Sequence, residues 1–336
     1  MYKVFLFFIF ANHCLLFSET RYKINNLELN QTHSYAYCIN NHGEVCGTFN
    51  ALNSGGGYNS AFYWSPDMGL IDLPEGEFFT PNNMNDAGMI TGNKGLFKGY
   101  MIDVKGSSID LGNYHPQSIN NNNISVGSYV GGTSRMPYQK VQENGAESIK
   151  CNYNDNLNLA ERYRTKKRRC KRVESIVSAI NNLNEIVGTV TAYGVPIIGI
   201  PDGCISHAFL LRGAEMIEIG KNYSAVDIND KSQVLLVETG KTCITSFVWD
   251  NGNFTPLWNG GWPKAINNNG SVVGFSLNGA AVVWENGKVN LLYDLLENPE
   301  GWEKLCVAED INDRGEIVGY GIYEGCQAAF LLTPCK

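Results

Sequence analysis

Charge is scarce in this chain: Asp, Glu, Lys and Arg make up 18% of its 336 residues. A globular chain usually carries about 25%, and a protein of long solvated helices more, so an extended helical surface is excluded. Long apolar runs are missing after residue 17, which leaves no later segment able to cross a bilayer as a helix. Histidine is rare, present only as His13, His33, His42, His115 and His207, and none stands in a metal-ligand or nucleophile motif. Neither a Gly-rich phosphate loop nor a Gly-x-Ser-x-Gly elbow occurs in a strand-turn-helix setting. No catalytic constellation is therefore expected, and no cofactor or metal.

What is abundant is glycine, 36 residues, with 11% aromatics, a mix that favours strands joined by tight turns. The net charge of −7 conceals one basic stretch: Asn152 to Val173 carries +6, leaving −13 for the rest. That remainder gives no general affinity for nucleic acid. At the N-terminus Lys3 precedes an apolar stretch from Val4 to Phe17, broken by Asn12 and His13 and followed by polar Ser18-Glu19-Thr20. This is the pattern of an export signal. Residues 1–18 are expected to be removed, leaving 19–336 as a single secreted or cell-surface domain without a transmembrane segment.

A nine-residue phrase recurs seven times, beginning at Ile39, Met84, Ile119, Ile180, Ile228, Ile266 and Ile311. Its last copy reads Ile311-Asn-Asp-Arg-Gly-Glu-Ile-Val-Gly319. The phrase describes a hairpin with a three-residue loop, a type I turn followed by a left-handed residue that forms a bulge. Gly, and less easily Asn, adopts that conformation. The fifth position holds Gly43, Gly88, Asn123, Asn184, Ser232, Gly270 and Gly315, so the fifth copy, with Ser232, has the least secure turn. The third position is always Asn or Asp, which we read as bonding turn backbone. A calcium loop needs more carboxylates than these turns hold.

Each phrase is followed by a short aromatic or aliphatic strand, a turn and another strand, as in Ala61-Phe62-Tyr63-Trp64 and Leu70-Ile71-Asp72-Leu73. That makes four strands per unit at an average period of 45 residues. Such a unit cannot bury both faces of its sheet, and stacking units about an axis solves the problem. The expected fold is all-β, a seven-bladed β-propeller. The last copy has three strands, ending at Ala329-Phe330-Leu331-Leu332, and Tyr22 to Leu29 would supply the fourth and close the ring. An open solenoid, or six blades with one degenerate unit, is the alternative. The phrase from Asp310 to Gly319, together with Ala329-Phe330-Leu331-Leu332 and His207-Ala208-Phe209, resembles the bacterial extracellular HAF-repeat proteins. The resemblance spans nearly all of the chain after the export signal; Ser232, Leu236 and the basic insertion depart from it. It implies a repeat type and an extracellular location, and no activity.

Several features are candidates for function. Intervals between anchors are 45, 35, 61, 48, 38 and 45 residues, the third enlarged by a basic insertion, 152–173. Its Arg162, Arg164, Lys166, Lys167, Arg168, Arg169, Lys171 and Arg172 suit a polyanion, a nuclear-import-like patch or a protease site; a solvated loop is the plainer reading. A second insertion, Tyr193 to Cys204, places aliphatics in a loop. The residue two before each anchor varies most between copies: Tyr37, Asn82, Gln117, Ser178, Val226, Lys264 and Glu309. On innermost strands these would surround a channel mouth. Trp64, Trp249 and Trp284 occupy repeated strand positions and should be core, whereas Trp258 and Trp262, flanking a Gly-rich turn, are expected to be exposed for stacking. Asp227, Glu309 and Asp310 could bring carboxyls into the channel.

Cys38 and Cys46 fall opposite one another across the first turn, and we expect a disulfide there; Cys306, Cys326 and Cys335 gather near the closure. The function that fits best is an exported, non-catalytic binding protein, a monomer holding a glycan or a protein on one propeller face. A propeller glycoside hydrolase or lyase using channel carboxylates is one alternative. A host-directed factor acting through the basic loop is another.

Overall fold

The computed structural model describes residues 19–27, 33–50, 59–95, 98–130, 135–141, 148–149, 170–194, 205–213, 215–240 and 244–335. The export signal, the basic residues 162–169 and the aliphatic segment 195–204 lie outside them. The protein is all-β, with small antiparallel sheets arranged as a β-propeller. A short 3-10 turn, Leu292–Leu295, is the one helical element among the described residues.

Strand β1 is Tyr22–Asn26. Sheets then form in chain order, beginning with β2 (Ser34–Ile39), β3 (Val45–Asn50), β4 (Asn59–Ser65) and β5 (Gly69–Glu77). Next come β6 (Phe79–Met84), β7 (Met89–Lys94), β8 (Lys98–Asp103) and β9 (Ser108–Gly112). β10 (Tyr114–Ile119), β11 (Ile124–Val130), β12 (Arg135–Val141) and β13 (Ser148–Ile149) follow. β14 (Cys170–Ile180) pairs in sequence with β15 (Ile186–Gly194), β16 (Ile205–Arg212) and β17 (Glu215–Lys221). β18 (Tyr223–Ile228), β19 (Val234–Glu238), β20 (Thr245–Asp250) and β21 (Asn253–Asn259) form another sheet. β22 (Gly261–Ile266), β23 (Val272–Ser276), β24 (Ala281–Glu285) and β25 (Lys288–Leu291) form the one after it. Finally β26 (Trp302–Ile311), β27 (Ile317–Tyr323) and β28 (Cys326–Pro334) are joined by β1, antiparallel to β28, with Tyr22 opposite Pro334 and Asn26 opposite Phe330. The N-terminal strand thus completes the C-terminal sheet, as the three-stranded last copy required.

The first strand of each sheet touches its counterparts on either side: β2 lies against β6 and β26, and β14 against β10 and β18. These are the inner strands. Hydrophobic clusters straddle neighbouring sheets, because a lone sheet has nothing to cover its second face. One unites Cys38, Cys46, Ala61 and Tyr63 with Phe79, Met84, Ile90 and Ile102 of the next sheet. Another joins Tyr22 of β1 to Phe330 and Leu332 and, across the interface, to Val273 and Val283. Each large side chain so buried contributes about 1.5–3 kcal/mol, so the stabilisation sits largely between sheets.

The hairpin turns form as expected. Gly43 has φ 79° and its N–H bonds the Asn40 carbonyl at 3.0 Å. Ser232 adopts φ 60°, so the fifth turn keeps the same shape, with a side chain in the region that favours glycine. Cys38 and Cys46 are paired in register and disulfide-bonded, with Cα atoms 5.5 Å apart. Cys306, Cys326 and Cys335 are free. The basic insertion ends sooner than expected, since Cys170 to Val173, including Lys171 and Arg172, belong to β14.

The third-position side chains bond turn backbone as expected, but in the preceding copy's turn; the bonding within each turn belongs to another residue. It is the second position of the phrase, Asn in every copy, whose Oδ1 accepts two backbone N–H groups of its own turn; Asn40 takes them from His42 at 3.0 Å and Glu44 at 3.1 Å. Its Nδ2 donates to the backbone carbonyl of the same Asn in the next copy. The bonds run Asn40 to Asn85, Asn85 to Asn120, Asn120 to Asn181, Asn181 to Asn229, Asn229 to Asn267, Asn267 to Asn312 and Asn312 back to Asn40, at 2.9–3.2 Å. The third-position Asn or Asp makes a parallel circuit: each backbone N–H donates to the next copy's side-chain Oδ1, from Asn41 to Asp86 at 2.9 Å around to Asp313 to Asn41 at 2.9 Å. Both circuits close on themselves.

Candidate functional site

The central channel has two unlike ends. At the turn end, the anchors Ile39, Met84, Ile119, Ile180, Ile228, Ile266 and Ile311 and the Asn and Asp residues that follow them line an open cavity of about 150 Å³. Its polar groups are engaged in the two circuits. Asp86 Oδ2, for example, accepts from Asn41 Nδ2 at 3.3 Å and Asn121 Nδ2 at 2.8 Å. This end is a structural closure, with the aliphatic anchors behind it.

Away from that end, the inner strands present variable side chains. Every one of them is bulged two residues before its anchor: register shifts fall between Ala36 and Cys38, Pro81 and Asn83, Pro116 and Ser118, Val177 and Ala179, Ala225 and Asp227, Pro263 and Ala265, and Ala308 and Asp310. The skipped residues are Tyr37, Asn82, Gln117, Ser178, Val226, Lys264 and Glu309, the set that varies most in sequence. A bulge leaves its extra residue outside the ladder and re-aims its side chain. On the partner strand a close approach follows: a Cβ on Gly47 would lie 2.0 Å from the Tyr35 carbonyl oxygen, which is why the phrase ends in Gly in six copies. Leu236, the exception, is buried in the cluster around Val234 and Trp249.

Residues two and four before the anchor keep exposed surface while those three and five before it are buried, in all copies but the fifth and seventh. This alternation sets Tyr35 and Tyr37, Asn82, His115 and Gln117, and Trp262 and Lys264 along the channel wall. Lys264 Nζ meets Glu309 Oε2 of the next sheet at 2.7 Å, and Tyr35 and Tyr37 stack with ring centroids 6.1 Å apart. Burial raises the Tyr37 hydroxyl above its ordinary range, and the Glu309 charge adds to the rise. One arc of the wall therefore carries Trp262, an ion pair and two tyrosines. Asn82 is tied by its Nδ2 to the Pro116 carbonyl, and Gln117 is exposed.

The tryptophans divide otherwise than expected. Trp262 is 45% exposed, but Trp258 is buried at 8% among Leu235, Val248 and Val282. Trp258 lies within β21, not in a turn, and strand alternation turns it inward. Trp249 is core, while Trp64 and Trp284 pack on cores with one side partly open.

Two channel carboxyls have a structural task. Asp310 Oδ2 accepts the backbone N–H of Ile39 in the next sheet at 2.9 Å and Oδ1 that of Ile311 at 2.8 Å. Asp227 does the same for Ile266 at 2.9 Å and Ile228 at 2.8 Å. Asn83 fills the same position in the second copy, its Oδ1 accepting from Ile119 at 3.2 Å. Desolvation raises Asp227 to about 6 and Asp310 to about 7, outweighing the backbone N–H donors that favour the charged form. The charges of Asp227 and Glu309 lift Asp310 further. Among the described residues no group of three His, Cys, Asp or Glu could hold a metal, and no helix is long and apolar enough to cross a membrane.

The class the fold defines is the β-propeller, and solved structures agree. No protein-family model and no curated protein matches the chain. The acylaminoacyl peptidase of Pyrococcus horikoshii is similar with a TM-score of 0.51 at 12% identity, over 90% of this chain and 53% of that one, so this chain spans about half its length. A PL25 ulvan lyase, a polysaccharide lyase, gives a TM-score of 0.35 at 11% identity over 79% of this chain and 82% of that one. A Bacteroides thetaiotaomicron protein of unknown function gives 0.38 at 10% identity over 90% and 92%. The first likeness establishes a shared fold alone, and the other two carry no argument about this chain.

Proposed function

We propose that this is an exported, non-catalytic binding protein of the HAF-repeat type, a seven-bladed propeller with four strands per blade that holds a glycan or protein ligand along the channel wall, away from the hairpin turns. The observation that carries the reading is the set of bulges, which aims a different side chain from each copy into one wall. Trp262, Tyr35 and Tyr37 offer apolar faces, and Gln117 and the Lys264–Glu309 pair offer hydrogen bonds. Such a mix of flat apolar surface and convergent polar groups suits a neutral ligand. The hydrolase or lyase reading is less well supported, because both oxygens of Asp227 and of Asp310 already hold backbone N–H groups, and Glu309 is paired with Lys264.

The test is binding of the purified protein to a panel of neutral glycans, polyanions and extracellular proteins at low and high salt. Salt-resistant binding that falls at least tenfold in Trp262→Ala is expected. Binding confined to polyanions and abolished by salt would move the function to the basic insertion. Cleavage of any glycan in the panel would establish the enzyme reading instead.

A further inference from the structure

A cavity of about 430 Å³ opens between the sheet β18–β21 and the sheet β22–β25, lined among others by Gln233, Asp250, Asn269, Ser271, Trp284 and Glu285. Its volume lies within the range of small-molecule sites, about 300–1,000 Å³. It is far from the bulge residues, on the side of the propeller that carries the hairpin turns.

The cavity exists because two bridging side chains are absent. In the preceding cleft, between β14–β17 and β18–β21, Glu185 accepts from Arg212 Nε at 2.5 Å and, across the cleft, from Ser232 Oγ at 2.6 Å. Those three side chains close the gap. One cleft further on, the same three positions hold Gln233, Asp250 and Gly270. Gln233 comes up to Gly270, its Oε1 3.6 Å from where a Cβ would stand, but it donates from Nε2 within its own sheet, to Asp250 Oδ2 at 3.2 Å, and Gly270 has no side chain to answer it. Where the last and first sheets meet, the Arg314 guanidinium lies over Gly43, its Nη2 2.3 Å from where a Cβ would stand, and that cleft is covered too.

We propose that the open cleft binds one neutral pyranose of a glycan. Trp284 packs one side on the core cluster of Val248, Ile266 and Val272 and lines the cavity with another. A fixed indole face is a stacking platform for the C–H face of a sugar ring. Asp250, whose side chain stands beside Gln233 in the cleft, supplies a carboxylate acceptor for a sugar hydroxyl, a bond stronger than those between neutral groups, and the Gln233 amide adjoins it. Among the described residues no Lys, Arg or His lines the cavity, so uronic and sulfated sugars meet the Asp250 carboxylate and are repelled. This site is independent of the channel site proposed above and stands or falls separately.

The experiment titrates the intact protein by calorimetry with the methyl glycosides of glucose, galactose, mannose and N-acetylglucosamine, and with glucuronate. Variants are Asp250→Asn, which keeps the shape, and Asp250→Arg, which puts an arginine where Arg212 stands in the neighbouring cleft; melting curves establish that both are folded. Leu183→Ala, at an exposed turn position of another sheet, serves as the control. Saturable binding of at least one neutral glycoside is expected, weakened at least tenfold by Asp250→Asn, abolished by Asp250→Arg and unchanged by Leu183→Ala. Absence of binding by all four, binding indifferent to both cleft variants, or preference for glucuronate would overturn the proposal.

Discussion

Replacing Asp310 by Asn should reverse its effect on stability between acid and alkaline pH. In the folded protein desolvation, assisted by the charges of Asp227 and Glu309, raises this carboxyl from 3.8 to about 7. Between those two values the native state holds a proton that the unfolded chain has released, so this group's contribution to stability is fullest below pH 3.8 and is lost as pH rises through about 7. At ~1.4 kcal/mol per unit the ionised side chain costs up to about 4 kcal/mol at pH 8. That is a ceiling, since Asp310 keeps some surface open to channel water, which tempers the penalty. Asn cannot ionise, and Asn83 already performs the same bond to the next anchor. It offers one carbonyl oxygen where Asp310 serves the N–H groups of both Ile39 and Ile311, a loss of about 1–2 kcal/mol. Asp310→Asn should therefore be less stable than the wild type by about that amount at pH 4 and more stable by about 2 kcal/mol at pH 8. Urea unfolding followed by tryptophan fluorescence at pH 4, 6 and 8 measures both. A difference between the two proteins that stays constant over this range would refute the argument, because it would mean that Asp310 titrates alike in the folded and unfolded states.

The asparagine circuit and the disulfide yield two further expectations. Asn181→Ala removes the acceptor of the Leu183 and Glu185 N–H groups and the donor to the Asn229 carbonyl, and should cost about 3 kcal/mol through buried groups left unpaired. Leu183→Ala in the same turn, 60% exposed, should stay within about 0.5 kcal/mol; equal effects in chemical denaturation would show that the turn and not the circuit matters. The Cys38→Ala, Cys46→Ala double variant opens a link of sequence separation 8, and loop-closure entropy puts its loss at about 2.5 kcal/mol. Treatment of the wild type with reductant should bring its urea midpoint to that of the variant.

Much of the fold was legible because its signals are local. The recurring phrase names its own turn: the fifth-position residue must take positive φ, and Gly43, Asn123 and even Ser232 do so. Pairing of Cys38 with Cys46 followed from the same loop length. The second-position Asn was missed for a different reason. Position two, an Asn in all seven copies, bonds its own turn and a carbonyl 35 to 61 residues onward within the chain, and nothing local marks a side chain as having a partner in the next copy. Trp258 was misplaced because the neighbouring Gly260 and Gly261 suggested a loop, whereas β21 extends to Asn259. The cleft beside Trp284 was invisible because it depends on a comparison across an interface, Gly270 and Asp250 against Ser232 and Arg212.

These cases separate two kinds of position in a repeat that closes on itself. Where copies must fit one another at every interface, the same bond is needed each time, and the residue is held constant; the second-position Asn is buried in every copy, between 3% and 4% exposed. Where the fold asks only for an extra residue, as at the bulges, any side chain serves, and Tyr37, Asn82, Gln117, Ser178, Val226, Lys264 and Glu309 differ in every copy. All seven bulge residues keep solvent-exposed surface, whereas the constant Asn residues engage both ends of their amides. A ligand can be discriminated only by groups that closure has not already engaged. In this protein those groups are found among the bulge residues of the channel wall, Gln117 and Tyr37 rather than Asn82 and Ser178, which bond the next sheet, and in the cleft where Gly270 leaves one interface unbridged.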